Sequence, residues 1–175
     1  MSRKYKFGES TGAYFVSFAT VNWIDVFTRV VYFDCIIESL EHCRKNKGLE
    51  LYGYCLMPSH VLGDPSGLMR DFKGFTSRRM LKIIEENAQE SRKEWMLRMF
   101  ERAGIKNSNV KHRQFWQQNN MPIEIWSLKV FEQKLNYIHN NPVEAGFVID
   151  PIDWKYSSAR NYGNNEHSIL EIDMN

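Results

Sequence analysis

The chain has 175 residues, of which 43% are hydrophobic and 14% aromatic, a size and composition that suit one domain with a sizeable core and exclude a disordered tail. Its apolar runs are far shorter than the roughly 20 residues of a membrane helix, so we expect no membrane partner. The amino terminus has no apolar stretch behind its basic residues, and three cysteines without CxxC spacing indicate free thiols, so we expect a cytoplasmic protein.

The positive charge is concentrated in one block, although the formal net charge is only +2. Residues 70–113 contain 12 lysines or arginines against 6 aspartates or glutamates. Such a block is typical of a face that binds a polyanion, but a solvated helix of mixed charge gives similar counts. Both interpretations stay open at this point.

The first half of the chain predicts two strands with a helix between them. Residues 13–22 are rich in β-branched and aromatic side chains, which favours a strand. Residues 30–46 carry apolar side chains at spacings of three and four, the pattern of an amphipathic helix, and Gly48 is a suitable C-cap. Residues 49–61 predict a second strand that is broken or bulged near Pro58.

The second half predicts mainly helices. A turn in GDPSG precedes helical spacing that continues through MLKIIEE and EWMLRMFERAG. Residues 114–126 predict a short hairpin around an NNMP turn. Ser127 is a good N-cap for the next helix, which we expect to end before Pro142.

The order of these elements indicates the fold class. Strands interleaved with helices, without a Gly-rich βα turn, predict an α+β fold with a ferredoxin-like antiparallel sheet, helices packed on one face and a helical extension. We expect a single domain over residues 1–175, with a helical insertion at about 66–112 and a C-terminal packing segment at 143–175.

Two features of the chain have the residue types that catalysis on phosphates needs. His60 ends the predicted second strand, and Tyr137 and Asn141 lie four residues apart on one face of the last long helix. A single strand histidine and a helix tyrosine beside amides are equally typical of structural and surface residues. Asn141 precedes Pro142 in the predicted last turn, where the helix dipole favours a cation, so its amide oxygen is a candidate metal ligand.

The runs YCLMPSHV, LMRDFKGFTSRRM, FWQQNNMPIEIWS, KLNYIHNNPVEAGFV and YSSARNY follow one another along nearly the whole chain. In this order they resemble the HUH-type single-tyrosine transposases, and among them the REP-associated tyrosine transposases. The resemblance implies a ferredoxin-like domain that cuts and rejoins single-stranded DNA without ATP.

The resemblance also implies the roles of the site residues. The family's helix motif YIxxNP matches YIHNNP here and makes Tyr137 the nucleophile that forms a 5′-phosphotyrosine link. A tyrosine hydroxyl is a weak nucleophile at neutral pH, so the reaction needs alignment and a cation that polarises the scissile phosphate. The resemblance therefore implies Mg²⁺ or Mn²⁺, with His60, Asn141 and a second strand histidine as ligands.

The chain departs from the family pattern at that second histidine. The family's strand motif reads roughly MPNHVH, whereas this chain reads MPSHVL, so Leu62 stands where the second ligand is expected. One interpretation is a protein that has lost its metal site and remains a non-catalytic hairpin or single-stranded DNA-binding protein on the same scaffold. Another is that residues are missing between Val61 and Leu62. Asp64, in the following Gly-Asp-Pro turn, is a conceivable substitute ligand.

The resemblance implies that the basic block binds DNA. The expected DNA-binding cations are Arg70, Lys73, Arg78, Arg79, Lys82 and Lys134. Trp95, Phe115 and Trp116 are either stacking or core residues, because single-strand binding combines backbone-tracking cations with aromatic rings that stack on bases. We expect single-stranded or hairpin DNA as the partner, with a homodimer as well as a monomer compatible with the resemblance. An RNA-binding module is disfavoured, since the chain has no RNP1-like run.

Overall fold

The computed structural model describes residues 12–63, 69–108, 110, 112–118, 122–163 and 167–173. Asp64 therefore lies outside the described residues, and so does the predicted GDPSG turn except for Gly63. In chain order the strands and helices are β1 (Tyr14–Ala19), α1 (Val30–Lys47), β2 (Tyr54–Leu56), β3 (His60–Gly63), α2 (Met69–Glu86), α3 (Lys93–Ile105), β4 (Ile123–Glu124), α4 (Leu128–Glu144) and α5 (Ala159–Gly163).

The described strands form one four-stranded sheet in the order β2-β3-β1-β4, and each neighbouring pair is antiparallel. The succession β1-α1-β2-β3-α2-β4 with β3 and β1 at the centre is the ferredoxin-like arrangement. The predicted α+β class is therefore confirmed, and α3 is an addition between α2 and β4. No helix within the described ranges is both long enough and apolar enough to cross a membrane.

Both faces of the sheet are covered, because strand side chains alternate between the two faces. Val16 and Phe18 belong to the large core shared with α1 and α2. Phe15 and Leu62 point the other way and form a smaller apolar cluster with Ile138 of α4. The expectation of helices on one face thus describes α1 and α2, whereas α4 lies across the opposite face.

The predicted second strand is a hairpin of β2 and β3. The backbone N–H of Met57 donates to the carbonyl of His60 at 2.8 Å, and the N–H of His60 donates back to Met57 at 3.4 Å. Pro58 thus lies in the turn between the two strands. Its missing N–H costs no hydrogen bond of the sheet at that position. As a consequence His60 is the first residue of a central strand rather than the last residue of an outer one.

The hairpin predicted over residues 114–126 does not form between its two expected arms. Trp116 makes an isolated bridge with Thr20, and β4 pairs with β1 through Phe15 opposite Ile123. Both segments therefore pair at or beside β1 instead of with each other. Burial explains this, because Phe115 and Trp116 are 1% and 4% exposed in that position. These two aromatic residues are core residues.

Helix α4 begins where the sequence predicts and ends later. The hydroxyl of Ser127 accepts a hydrogen bond from the N–H of Val130, which confirms the N-cap. The helix continues through Pro142 to Glu144, so the prediction that it ends before Pro142 was wrong. The N–H of Ala145 donates to the carbonyl of Asn141 at 3.0 Å, which continues the helical hydrogen bonding past the proline.

Candidate functional site

The central strand and helix α4 bring two predicted site residues into contact. His60 begins β3, and the side chain of Asn141 on α4 lies near enough to act on its ring. Burial lowers the pKa of His60, while hydrogen bonding to Asn141 and the charge of Asp25 raise it. The lowered pKa favours the neutral imidazole, which is the form that binds metals.

Tyr137 lies one helical turn before Asn141 on the same face of α4. Its ring meets the ring of Phe15 edge to face at 5.9 Å, which fixes its position against β1, yet the residue is 46% exposed. The ammonium group of Lys134 lies 5.1 Å from the centroid of the same Phe15 ring. Tyr137, the neighbouring cation Lys134 and the His60–Asn141 pair therefore share the surface between α4 and the sheet.

Leu62 fills the position at which the resemblance places a second metal-binding histidine. It lies opposite Ser17 in the β1–β3 register, two residues from His60, and so on the same face of the sheet. Its side chain is 1% exposed and packs in the apolar cluster with Phe15 and Ile138. The register of β3 runs without interruption through Val61 and Leu62.

No group of three or more His, Cys, Asp or Glu side chains that could hold a metal occurs among the residues that the structure describes. Asp64, the conceivable substitute ligand, lies outside those residues. The carboxylate that acts on the His60 ring is instead Asp25, in the segment between β1 and α1. Its backbone carbonyl accepts a hydrogen bond from Arg92 at 2.8 Å, which helps to fix this segment.

The face of α4 away from Tyr137 is anchored by His139. Its Nε2 lies 2.9 Å from the Ser158 hydroxyl, which also accepts a hydrogen bond from the N–H of Tyr54 on β2 at 3.0 Å. Burial lowers the pKa of His139 to about 4. Ser158 belongs to the YSSARNY run, whose backbone bonds to the outer edge of β2. This run therefore helps to hold α4, and with it Tyr137, against the sheet.

The predicted DNA-binding cations of α2 have different surroundings. Arg70 is exposed and forms an ion pair with Asp71 at 3.2 Å, and Arg78 is exposed. Lys82 is exposed and lies 3.7 Å from Glu86. These three cations mark the exposed side of the helix.

Two other cations of α2 face the protein. Lys73 is half-buried, its Nζ donates to the carbonyl of Gln117 at 2.7 Å, and burial lowers its pKa to about 8. Arg79 is paired with Glu38 of α1. Both side chains therefore help to attach α2 to its neighbours, a contact that periodicity alone did not indicate.

Helix α2 and Tyr137 lie on opposite faces of the sheet. Phe72 of α2 packs against Phe18, on the face shared with α1. Tyr137 packs against Phe15, whose side chain points to the other face. The chain thus offers two separate cationic surfaces, the exposed side of α2 and the surroundings of Lys134 on α4.

Sequence reasoning missed two residues beside His60. The ring of Trp23 lies 5.4 Å from the His60 ring, and Asp25 follows two residues later. Their approach depends on the β1–β3 register, which places Ala19 opposite His60. The sequence contains a partial signal for this turn. Its first left-handed residue is Asn22, and asparagine tolerates that conformation.

Comparison with solved structures supports the fold. A REP-associated tyrosine transposase bound to a REP hairpin has a TM-score of 0.58 and 18% sequence identity, covering 99% of this chain and 93% of that chain. A transposase proposed for Deinococcus radiodurans R1 has a TM-score of 0.43 and 20% identity, covering 80% of this chain and 95% of that chain. No protein-family sequence model and no curated protein matches the chain. From β1 to the C-terminal segment, this chain therefore has the fold of a REP-associated tyrosine transposase.

Proposed function

We propose that the chain is a transposase that nicks and rejoins single-stranded DNA beside a hairpin, with Tyr137 as the nucleophile. The observation that carries this proposal is the contact between His60 of β3 and Asn141 of α4, one helical turn beyond an exposed Tyr137. The motif resemblance and the shared fold support it independently. The solved structure of similar fold is bound to a REP hairpin, which makes hairpin DNA the substrate class to test.

The proposed reaction is a transesterification. The phenolic oxygen of Tyr137 attacks the phosphorus, the bond from phosphorus to the 3′ oxygen breaks, and the phenolic proton ends on the released 3′-hydroxyl. The new tyrosine–phosphate bond replaces the broken phosphodiester, so the reverse attack by a 3′-hydroxyl rejoins a strand without ATP. Phe15 orients the tyrosine ring, and Lys134 supplies positive charge near the phosphate.

His60 and Asn141 would offer a metal one imidazole nitrogen and one amide oxygen. Mg²⁺ commonly keeps several waters and completes its shell with substrate phosphates. This donor pair therefore fits a Mg²⁺ or Mn²⁺ ion bound together with DNA, rather than one held tightly by the protein alone. Bound there, the ion would polarise the scissile phosphate.

A second candidate function is non-catalytic binding of hairpin or single-stranded DNA on the same scaffold. The observation that favours it is Leu62, which is buried in an apolar cluster where the resemblance expects a metal ligand. The exposed cations of α2, Arg78 and Lys82, remain available for phosphate contacts in this case.

One experiment separates the two candidates. Hairpin DNA with a single-stranded flank, labelled at its 3′ end, is incubated with the protein and Mn²⁺ and separated under denaturing conditions. Transposase chemistry predicts a labelled protein–DNA adduct that disappears in Tyr137→Phe and persists in Tyr162→Phe, which likewise removes one hydroxyl from a partly exposed tyrosine. DNA binding without an adduct would support the non-catalytic candidate, and an adduct that survives in Tyr137→Phe would exclude this tyrosine as the nucleophile.

A further inference from the structure

We infer that Trp23 is a base-stacking residue that holds an unpaired nucleobase beside His60. This inference rests on the proposed binding of single-stranded DNA and adds the residue that positions the strand at the site. It is carried by the exposure of Trp23, its contact with His60 and the backbone conformation that presents it.

Trp23 lies at the edge of the candidate site with most of its surface open. Its ring centroid is 5.4 Å from that of His60, with the two ring planes at 73°. The residue is nevertheless 57% exposed. A contact of this kind uses only part of the indole surface, so a large aromatic area remains accessible next to the His60–Asn141 pair.

The backbone that presents Trp23 is unusual. Asn22 and Trp23 have φ angles of 54° and 55°, and these are the positive-φ residues other than glycine in the described part of the chain. This conformation is tolerated by asparagine and unfavourable for a bulky residue such as tryptophan. Unfavourable backbone conformations persist when the surrounding structure enforces them, and they occur frequently at ligand-binding sites.

Thr20 enforces the turn from its buried side. The Thr20 hydroxyl donates to the carbonyl of Ile24 at 2.7 Å, and the Thr20 N–H donates to the carbonyl of Ser59 at 2.9 Å. The N–H of Trp23 donates to the carbonyl of Thr20 at 3.0 Å. The turn is therefore tied to the residue that precedes His60, and it holds the indole outward instead of allowing it to pack in the core.

A nucleobase is the ligand that suits this position. An indole face stacks on any base, whatever the sequence, because every base has a π-face. The Asp25 carboxylate, two residues further on, disfavours a phosphate against the Trp23 ring, which is a different place from the proposed metal site between His60 and Asn141. A neutral base therefore fits beside Trp23, while the phosphates of the strand would pass nearer to Lys134 and Tyr137.

The test uses single-stranded flanks in which 2-aminopurine replaces one base at a time, bound to Tyr137→Phe protein so that no strand is cut. Stacking on Trp23 predicts fluorescence quenching that is strongest at one flank position. When Trp23→Ala is added to this protein, the quenching is lost and the affinity falls about 5- to 150-fold. Trp23→Phe keeps an aromatic face and therefore restores most of the quenching and most of the affinity. Trp126→Ala, which removes a tryptophan that is 73% exposed just before α4, leaves the quenching and the affinity unchanged.

The outcomes distinguish this inference from the proposed function. If the parent protein binds the flanked hairpin and Trp23→Ala binds it with the same affinity and quenching profile, the stacking role is wrong and the proposed function stands. If the parent protein binds no flanked hairpin, both are wrong. An equal loss in Trp23→Ala and Trp23→Phe would also overturn stacking, since it would indicate a structural role of the turn.

Discussion

The His60 ring on β3 and the Asn141 side chain on α4 come together across the face of the sheet. Tyr137 lies one helical turn before Asn141 and is therefore placed beside the same point. Burial lowers the pKa of His60 and so favours its neutral imidazole. The pair thus offers a nitrogen and an oxygen that can be redirected from each other to a cation.

Replacing Leu62 with histidine should strengthen the proposed metal site. Leu62 lies on the same face of β3 as His60, so Leu62→His would add a second imidazole toward α4. We expect the yield of the DNA adduct at limiting Mn²⁺ to rise at least about tenfold. Placing an imidazole in the apolar cluster should also lower the free energy of unfolding by ~1–3 kcal/mol.

The matched control is Val61→His, because Val61 is equally buried but points to the opposite face of the sheet. It should destabilise the protein to a similar extent without changing the response to Mn²⁺. Equal adduct yields from the two variants would show that position 62 is not part of the metal site.

Two exposed cations of α2 should contribute to DNA binding through phosphate contacts. The double variant Arg78→Ala, Lys82→Ala is expected to weaken hairpin binding for all sequences and to reduce the slope of log K against log salt by about 1.5 to 2. At saturating DNA, the rate of adduct formation should stay the same, because Tyr137 lies across the sheet. Arg79→Ala should have a smaller effect, since Arg79 is paired with Glu38.

The control for these cations is Lys45→Ala, Lys47→Ala, which removes two exposed charges near the end of α1. Binding isotherms at several salt concentrations give the slopes of both double variants. A slope that is identical in the α2 variant and the parent protein would remove this helix from the interface.

His139 should make the protein less stable in mild acid. Burial lowers the pKa of His139 from 6.5 to about 4, so the unfolded chain binds a proton in a pH range where the folded protein does not. The free energy of unfolding that the neutral His139 contributes is fully present above pH 6.5. It falls by up to about 3 kcal/mol as the pH is lowered toward 4. Denaturant unfolding from pH 8 to pH 4 measures it. His139→Gln should flatten this part of the profile, and an unchanged profile would show that another group titrates there.

Glu90 should stabilise the segment that carries Asp25. Its side chain is fully buried and accepts hydrogen bonds from Arg29 and Arg92, and this holds the pKa of Glu90 at about 2. Arg92 in turn donates to the Asp25 carbonyl and to Thr28. We expect Glu90→Gln to lower the free energy of unfolding by about 2 to 3 kcal/mol, because both guanidinium groups are partly exposed and solvent compensates some of the loss.

Hydrogen exchange would check the same variant locally. Faster exchange of the backbone amides in residues 24–28 is expected, because Arg92 would lose its partner. Unaltered exchange there, with a global loss of stability, would mean that Glu90 acts only on the core.

The parts of the fold that local patterns determine were predictable from the sequence. Helix α1 follows from its periodicity and from Gly48, whose φ of 68° is the left-handed C-cap conformation. Helix α4 follows from its apolar stripe and the Ser127 cap. The break near Pro58 was predicted, but the sequence did not show that the break is a hairpin turn between two strands, because Pro58 is its main local signal. The pairing of β4 depends on a partner strand more than one hundred residues away, which no local pattern encodes.

The candidate site also has residues that were predictable from the sequence and residues that were not. His60, Tyr137 and Asn141 were identified from motifs, and the structure brings the first and the last into contact. The inward orientation of Lys73 and the approach of Trp23 were not predictable, because both depend on tertiary packing rather than on spacing. Leu62 was identified as a departure from the pattern, but its burial under α4 is visible only in the fold.

The most direct measurement is the mass-spectrometric mapping of DNA left on the protein after incubation with flanked hairpin DNA and Mn²⁺, followed by nuclease and trypsin digestion. Cleavage after Lys134 and Lys155 releases peptide 135–155, in which Tyr137 is the one tyrosine. The account predicts a nucleotide remnant on this peptide, localised to Tyr137. A remnant on a different residue, or none on a protein that binds the hairpin, would contradict the assignment of Tyr137 as the nucleophile.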